Sequence, residues 1–315
     1  MNDLSHAEAV LEAVSSPSGA ATSPLAASWC RSALHHNLDP EARGHREPLD
    51  AGQLSRLREE HGRLLTVANP VLDMMYRSVG QTGCGVILSD RSGVILERRV
   101  PLGDADHFGD AGLVNGVSWS EDHEGTNGIG TCLVEDRPIV IHRDQHFASR
   151  NIAISCMDAP VHDPFGQLIA ALDVSSCRDD HGPAMAEMIV VLVREAARRI
   201  ERDLFCDHFG ERRIIFLSDD NSGTALLAVD RDDLVVGASH AARALLSIDD
   251  AALSMPQPVD RLLGTARPAS FGDGDRTVLR QALARAGGNA SEAARSLGIG
   301  RATLYRRMAR AGIRR

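Results

Sequence analysis

Apolar residues change their spacing along the chain, and each spacing predicts a different kind of element. Between Gln53 and Val79 they recur at threes and fours, which predicts a long helix, kinked where Pro70 interrupts it. The following hundred residues hold short apolar runs bounded by turn residues, at 84–90, 93–100, 138–142, 152–160 and 167–176, and such runs are typical of strands. After Pro183 the helical period returns and continues to Leu204. The order of elements predicts an α+β domain, one antiparallel sheet with flanking helices.

Shorter patterns lie on either side of this region. Residues 3–14 predict a short helix and SSPSGAATSP a linker, whereas a hairpin at 224–239 followed by HAARALLSI predicts a smaller α/β unit. We therefore expect a helical lead-in and linker at 1–52, the α+β domain with its two long helices at 53–206 and the smaller unit at 207–253. A Pro- and Gly-rich linker at 254–274 and a helical tail at 275–315 complete the predicted organisation.

Charge is distributed unevenly between the tail and the rest of the chain. The thirty-four basic residues are all arginine, and the whole chain carries a formal charge of −9. From Asp275 to Arg315 ten arginines face two acidic residues, a net +8, which leaves −17 for the remainder. A basic tail on an acidic body indicates a polyanionic partner, although a solvated basic face is the commoner origin of such a run.

The tail has the pattern of three short helices. A helical segment at 275–286 ends at two glycines, Asn289 is suited to cap a second helix that ends at Gly298, and a third helix starts at Arg301. Three helices with a short glycine-containing turn between the last two predict a helix-turn-helix. The alternative is a three-helix packing module whose basic surface is incidental.

In a helix-turn-helix the last helix enters the major groove of DNA. Leu304 and Met308, at i and i+4, are expected to face the core with Ala293, Ala294, Leu297 and Ile299. Arginine suits the outer face because its planar fork contacts guanine bidentately and also holds phosphates. The predicted DNA-contacting residues are Asn289, Ser291, Arg301, Ala302, Thr303, Tyr305, Arg306, Arg307 and Arg310.

The segment GGNASEAARSLGIGRATLYRRMARAGI resembles the Fis-type helix-turn-helix that ends bacterial enhancer-binding regulators, over about forty residues. Its GN, AAR, LGI and TLYRR elements lie in register with that pattern. Gly300 departs from it, because the family usually has a serine that caps the recognition helix; the loss should weaken capping by a few tenths of a kcal/mol.

Two further segments carry resemblances. Ser118 to Ser176 is similar to the GAF domain of the acetoin catabolism regulator family, and PLAASWCRS, which starts at Pro24, matches the lead-in of those proteins. ALLAVDRDDLVVGASHAARALL resembles a reduced PAS unit. The resemblance implies a GAF-type sheet that senses a small-molecule effector and a tail that binds double-stranded promoter DNA.

The chain departs from that family between its sensor and its tail. Those regulators usually carry an ATPase module there that remodels the sigma-54 polymerase, and this chain has neither room for one nor the lysine that a phosphate-binding loop needs. It is therefore expected to act by binding alone, as a homodimer paired through the helix at 183–206, with RNA polymerase or a full-length paralogous regulator as a further partner.

The effector site is assigned to the GAF-like segment, where Gly125 to Gly130 form a small-residue stretch that lets a backbone approach a ligand or simply makes turns. The candidate ligand-contacting residues are Trp119, Thr126, Asn127, Gly128, His142, His146, Cys156 and Asp173. No metal or cofactor is predicted. The alternative is a metal or redox site, or an enzyme, that uses the His and Cys residues near His142, namely His123, Cys132, His146, Cys156 and His162. The absence of HExxH and GxSxG motifs argues against it.

Location follows from what the sequence lacks. No apolar run approaches the roughly 18 residues of a membrane span, and MNDLSHAEAV has no secretory pattern. The six cysteines show no CxxC spacing. We expect a cytoplasmic protein with free thiols and no contact with a membrane.

Overall fold

The computed structural model describes residues 4–16, 18–42, 46–217, 224–253, 255–264 and 275–313. The chain divides into two compact units. The first comprises Met1–His162 and Leu168–Ile200, and the second comprises Asp163–Gln167 and Glu201–Arg315. Among the described residues no helix combines the length and the apolar character needed to cross a membrane.

The first unit is built on a five-stranded antiparallel sheet. Its strands are β1 (Cys84–Asp90), β2 (Ile95–Arg99), β3 (Ile139–His142), β4 (Ser155–His162) and β5 (Leu168–Ser176), in the order β2-β1-β5-β4-β3. Every residue of β1 is buried, which explains why its sequence is a continuous apolar run rather than an alternating one. All five predicted strands and the α+β class are confirmed.

The first unit also contains helices, which pack on this sheet or on one another. They are α1 (His6–Ser15), α2 (Gly19–Thr22), α3 (Pro24–Cys30), α4 (Ala51–Glu60), α5 (Gly62–Val79), α6 (Ala105–Asp110), α7 (Glu121–Glu124) and α8 (Gly128–Glu135). A π-helical turn, Arg31–His35, continues α3. Short 3-10 turns lie at 80–82, 102–104, 143–145 and 149–151. A long helix, α9 (Pro183–His208), follows β5.

The predicted helix at 53–79 differs from the structure in where it is interrupted. The break lies at His61, which ends α4 and precedes α5, whereas Pro70 lies inside α5. The first four N–H groups of a helix have no partner, but Pro70 is nine residues into α5, so its missing N–H removes one internal hydrogen bond. Burial of Val71, Leu72 and Met75 beside Pro70 stabilises the helix against that loss.

The lead-in segment, described at residues 4–16, 18–42 and 46–50, is part of the first unit rather than a free linker. Val10 of α1 is fully buried, and Ala26 and Ser28 of α3 are nearly so. The core beneath contains the fully buried side chains of Phe108, Trp119 and others. Burying a large apolar side chain contributes about 1.5–3 kcal/mol relative to exposure, so this core dominates the stability of the unit.

The second unit contains a four-stranded antiparallel sheet, here called the small sheet. Its strands are β6 (Arg213–Phe216), β7 (Leu226–Val229), β8 (Leu234–Ala238) and β9 (Gln257–Pro258), in that order, and it carries α10 (His240–Leu246), α11 (Asp250–Leu253) and α12 (Val259–Leu262). Both β9 and α12 fall in the segment predicted to be a linker. They are ordered because Pro258 pairs with Leu234 at the sheet edge and Val259 and Leu262 pack on the core of the small sheet. Residues 265–274 of that predicted linker lie outside the described residues.

Three helices end the second unit, namely α13 (Asp275–Arg285), α14 (Ala290–Ser296) and α15 (Arg301–Arg310). They surround a compact apolar core of Leu279, Ala282, Ala293, Ala294, Leu304 and Met308, with Leu297 and Ile299 packed against it. This is the predicted three-helix arrangement, with the predicted inward-facing residues.

Candidate functional site

The ends of the three tail helices are fixed by local chemistry. Asn289 caps α14, because its Oδ1 accepts hydrogen bonds from the backbone N–H of Ser291 at 3.0 Å and of Glu292 at 3.3 Å. Gly298 follows α14 with φ +65°, a left-handed conformation that favours glycine. Gly300 precedes α15 and offers no side-chain cap. Asn289 therefore caps α14 as predicted, and its side-chain oxygen is occupied by hydrogen bonds within the protein.

The last helix, α15, has two distinct faces. Leu304 and Met308 are buried, whereas Arg301, Ala302, Arg306 and Arg310 are exposed. Thr303, Tyr305 and Arg307 are half-buried. The Arg301 guanidinium lies 5.6 Å from the centre of the Tyr305 ring, and its Nη2 donates to Tyr305 Oη at 3.4 Å. The face opposite the core is therefore polar and basic, as a surface that contacts phosphates and base edges requires. The DNA contacts themselves stay predictions.

The first unit buries seven of the eight predicted ligand-contacting residues and leaves His142 half-buried. Trp119 is 1% exposed, its Nε1 donates to the carbonyl oxygen of Gly112 at 2.9 Å, and the Arg46 guanidinium stacks 4.4 Å from the centre of its ring. A ring face and the indole N–H of Trp119 are therefore already occupied by contacts within the protein.

The small-residue stretch before α8 has two structural functions. Asn127 caps α8, because its Oδ1 accepts from Gly130 N at 2.8 Å. Gly128 lies against β4, where an added Cβ would overlap the Asp158 carboxyl group and the Cys156 side chain. Glycine is thus required at this position by the close approach of α8 to the protein's own strand.

His146 and Cys156 form a buried pair. Cys156 Sγ lies 3.5 Å from His146 Nε2, while His146 Nδ1 donates to the carbonyl oxygen of Arg143 at 2.9 Å. Burial lowers the pKa of His146 to about 4 and raises the pKa of the Cys156 thiol well above its usual value. Both groups are therefore neutral at pH 7, which disfavours the thiolate on which cysteine redox chemistry and nucleophilic attack depend.

The remaining histidines and cysteines considered for a metal or catalytic site are separately engaged. His142 Nδ1 is 2.8 Å from Ser155 Oγ, and His162 Nε2 is 2.8 Å from Asp136 Oδ1. His123 Nδ1 is 3.0 Å from Ser120 Oγ, and Cys132 is fully buried in the apolar core. Within the described ranges no group of three or more His, Cys, Asp or Glu side chains is arranged to hold a metal ion.

Two buried carboxyl groups face each other across the sheet. Asp158 on β4 is the direct partner of Asp173 on β5, and both are fully buried. Ser175 Oγ donates to both Asp173 oxygens, at 3.0 and 2.8 Å, whereas neither Asp158 oxygen has a hydrogen-bond partner. Burial raises the pKa of Asp173 to about 7 and, together with the neighbouring Asp173 charge, raises that of Asp158 well above its usual value. Burial therefore favours the neutral, protonated form of Asp158.

Sequence reasoning included Asp173 but missed Asp158. The signal was present, because each acid interrupts an apolar strand. Only the strand register shows that the two residues face each other.

The lead-in segment is attached by ion pairs that sequence reasoning also missed. Arg46 donates from Nε to Glu124 Oε1 at 2.9 Å and from Nη2 to Glu124 Oε2 at 2.6 Å, and Arg31 pairs with Glu121. Glu121 and Glu124 are 2% and 4% exposed. Burial alone would raise the pKa of Glu124, but Arg46 and Arg150 outweigh it and lower the pKa. Charged residues this deeply buried need such partners.

A cavity of about 210 Å³, here called the hydroxyl cavity, lies between the lead-in segment and α8. Its lining includes the hydroxyl-bearing residues Ser28, Thr126 and Thr131, the apolar Leu25 and Ile141, and the charged Glu135 and Arg137. Ser28 Oγ and Thr126 Oγ1 are 2.7 Å apart, and Thr131 Oγ1 donates to the buried Glu121 at 2.8 Å. Of the eight predicted ligand-contacting residues, Thr126 lines this cavity.

Comparison with known families identifies two domains. Residues 63–200 match the GAF domain, and residues 273–310 match the bacterial regulatory protein, Fis family. Both matches coincide with segments whose geometry is described above, and they confirm the predicted combination of a GAF domain with a Fis-type helix-turn-helix.

Several characterised proteins are similar to this chain. It is 29% identical over 224 residues to the acetoin catabolism regulatory protein of Cupriavidus necator, covering 70% of this chain and 34% of that protein. It is 27% identical over 199 residues to the acetoin dehydrogenase operon transcriptional activator AcoR of Bacillus subtilis, covering 60% and 32%. It is also 28% identical over 139 residues to the propane 2-monooxygenase operon transcriptional activator MimR of Mycolicibacterium smegmatis, covering 44% and 23%. The chain thus spans about a third or less of these relatives.

One solved structure shares the fold. The crystal structure of the E. coli DhaR(N)-DhaL complex matches with a TM-score of 0.53 at 16% identity, over 73% of this chain and 78% of that one. At this identity the likeness concerns the fold alone.

The homologues of the chain are acetoin-type catabolism regulators and related transcriptional activators.

Proposed function

We propose that this protein, which carries a GAF domain and a Fis-family helix-turn-helix, is a ligand-responsive regulator of transcription. In this proposal its GAF domain binds a small-molecule effector, and its recognition helix α15 binds promoter DNA in the cytoplasm. The observation that carries it is the division of α15 into a buried apolar face and an exposed face with Arg301, Arg306 and Arg310. Domain matches and regulatory relatives support the same conclusion.

Regulation by binding alone is the second part of the proposal. Residues 201–272 separate the two matched domains, and no lysine occurs in the chain to hold a nucleotide's phosphates. ATP hydrolysis is therefore not part of the mechanism. Contact with RNA polymerase, or with a full-length paralogous regulator at the same promoter, would convert binding into a change of transcription.

Homodimer formation through α9 is the third part. Ile189, Val193 and Ala196 are buried on one face of this helix, yet Met188 is 67% exposed, Val191 53% and Leu192 45%. These three apolar residues lie at i, i+3 and i+4 and so form one stripe, which a second copy of the helix would cover. A dimer would present two recognition helices to two DNA half-sites.

The effector is assigned to the hydroxyl cavity. Its volume of about 210 Å³ is below the roughly 300–1,000 Å³ of ordinary ligand pockets, so it limits the effector to a compact molecule. Its mixture of hydroxyl-bearing, aliphatic and charged residues suits a compound with hydroxyl or carbonyl oxygens. In a thermal-shift screen of such compounds, a ligand at 100 times its dissociation constant should stabilise the wild type by about 2.7 kcal/mol. Leu25→Trp narrows the cavity and should abolish the shift, whereas Leu34→Trp, at a 71% exposed lead-in position, should retain it. Equal shifts in both variants would place the ligand elsewhere.

The experiment that tests the function is DNA binding by the full chain. Fluorescence anisotropy with a duplex from the gene's own upstream region should show binding that weakens steeply between 50 and 200 mM salt, as phosphate contacts require. Sedimentation of the complex should give two protein chains per duplex. Failure to bind at low salt would contradict the proposal, and one chain per duplex would remove its dimeric part.

A further inference from the structure

The small sheet presents a cluster of carboxyl groups to the first helix of the DNA-binding domain. The turn between β7 and β8 contains Asp230, Asp232 and Asp233, and residues 230–233 are here called the acidic turn. Thr277 Oγ1 donates to Asp232 Oδ1 at 2.9 Å, and Gln281 Nε2 donates to the carbonyl oxygen of Asp232 at 3.0 Å. Asp232 is 6% exposed. The acidic turn and α13 are therefore in specific, hydrogen-bonded contact.

Arginines of α13 complete this contact. Arg280 Nη1 lies 2.9 Å from Asp230 Oδ2 and also pairs with Asp232 Oδ2, and Arg276 Nε is 3.9 Å from Asp232. Arg285 Nη2 lies 2.6 Å from Asp260 Oδ2, on α12. All three arginines of α13 thus face carboxylates of the acidic turn or of α12. The three exposed arginines of α15 lie outside this contact.

The shape of the acidic turn does not depend on α13. Asp230 Oδ1 accepts hydrogen bonds from the backbone N–H of Asp232 at 2.9 Å and of Leu234 at 3.1 Å, which fixes the turn internally. The Asp232 side chain is left to bind a partner. Asp233, in the same turn, points to another strand and pairs with Arg213 of β6.

The contact is polar and incompletely packed. Leu234 of β8 and Leu283 of α13 line a shared cavity of about 240 Å³ together with Met255, which is 49% exposed. An interface joined by ion pairs and containing such a cavity resembles transient contacts between domains rather than a continuous core. Separation of α13 from the small sheet is therefore expected to leave both folded.

We propose that the acidic turn, with Asp260, is a docking surface for α13 and withholds Arg276, Arg280 and Arg285 from DNA phosphates. Carboxylates and phosphates bind the guanidinium group with the same bidentate geometry, so DNA and the docking surface compete for the same three side chains. The inference rests on the proposed function, because DNA binding is what the docking opposes. It assigns the small sheet a partner, the basic helix α13 of the same chain.

The slope of log affinity against log salt reports how many arginines contact DNA phosphates, so it measures how many of them the docking withholds. Arg280 pairs with both Asp230 and Asp232, so the double substitution Asp230→Asn, Asp232→Asn should release Arg276 and Arg280, and each new phosphate contact steepens the slope of log affinity against log salt by about 0.9. The slope of the double variant should be about 1.8 steeper than that of the wild type, so a rise from 50 to 200 mM salt costs it about twelvefold more affinity. Asp232→Asn alone leaves Arg280 paired with Asp230 and should steepen the slope by about 0.9. Asp260→Asn, on a different helix, should release Arg285 and steepen the slope by about 0.9. The control Asp233→Asn removes a charge from the same turn and should leave the slope unchanged.

Hydrogen exchange without DNA tests the docking separately. In the full chain, Asp232→Asn should accelerate exchange across α13 and the acidic turn, whereas Asp233→Asn should leave α13 at the wild-type rate. Equal exchange rates of α13 in all variants, or equal salt slopes for Asp232→Asn and Asp233→Asn, would overturn the docking proposal. Loss of DNA binding in every protein, wild type included, would instead contradict the proposed function while the exchange rates still decide the docking.

Discussion

Arginine has different functions in the first unit and in the Fis-type helix-turn-helix. Arg46 is 12% exposed at its side chain and joins the lead-in segment to Glu124, a residue 78 positions away. Arg301, Arg306 and Arg310 lie on the open face of a helix whose other face is buried. A buried arginine with distant partners holds a fold together, whereas an exposed row of arginines on a small helical domain is available to an external anion. Composition alone does not distinguish the two.

The largest effect is expected from Arg46→Ala. It removes two hydrogen bonds to the 4% exposed Glu124 and one to Asn151, leaving a buried carboxylate with fewer partners. Breaking a buried ion pair costs about 3–5 kcal/mol, and denaturant unfolding should show a loss in that range. Arg137→Ala is the matched control, because Arg137 is 47% exposed and pairs with Glu135 two residues away, a surface pair worth about 0–1 kcal/mol. Equal losses in both variants would remove the distinction between buried and exposed arginines.

The second prediction concerns how the stability of the GAF domain depends on pH. The raised pKa values of Asp158 and Asp173 mean that the folded state binds protons that the unfolded state has released. The stability that these two carboxyl groups contribute to the fold is fully present below the pKa of an aspartate in the unfolded chain. It is lost as the pH rises towards 7. His146 acts in the opposite direction: its pKa is lowered to about 4, so its contribution is lost as the pH falls from 6.5 to 4.

Asp158→Asn separates the effect of the two carboxyl groups from that of His146. The variant lacks the second carboxyl group, and its amide can donate to Asp173, so it should lose less stability than the wild type between pH 5.5 and 7.5. Thermal unfolding at the two pH values measures the difference. Asp179→Asn, at a 94% exposed side chain, should follow the wild type. A steeper decline for Asp158→Asn would contradict the assignment of raised pKa values to these two buried carboxyl groups.

A smaller effect is expected from Arg306→Ala on α15. An exposed arginine adds little to folding, but a base-contacting arginine contributes about 1–3 kcal/mol to discrimination between sites. Selection from randomised duplexes should therefore show relaxed preference at one base pair, with unchanged thermal unfolding. Altered stability with unchanged site preference would assign Arg306 a structural function instead.

Gly300→Ser is expected to have the smallest effect. Gly300 is the N-cap of α15 and lacks a side-chain hydrogen bond, and its φ of −70° and ψ of 148° suit serine. The hydroxyl should stabilise the helix by a few tenths of a kcal/mol, seen as a small rise in the unfolding midpoint of the DNA-binding domain. A lowered midpoint would show that the serine side chain is not accommodated there.

The same contrast explains how much the sequence predicts. In the tail, the cap at Asn289, the left-handed Gly298 and the inward pair Leu304 and Met308 are all decided within a few residues, and each was predicted. The five strands of the GAF domain were predicted for the same reason, because turn residues bound every apolar run. Local patterns therefore predict the elements and the face that each one buries.

Contacts between distant residues were not predictable in this way. Asp158 and Asp173 face each other only because β4 and β5 pair in one particular register. The lead-in segment binds Glu121 and Glu124 across 78 to 90 residues, and β9 is ordered by its pairing with β8 inside a predicted linker. Trp119, a candidate effector contact, stacks against Arg46 of the lead-in segment, a residue distant in sequence.

The most direct test of the account is a footprint on the gene's upstream region at low salt. Wild-type protein should protect a discrete site there. The double substitution Arg301→Ala, Arg306→Ala should abolish that protection, while Arg212→Ala, at an exposed arginine outside α15, should retain it. Absence of protection by the wild type, or equal protection by the double variant, would contradict the claim that α15 binds DNA.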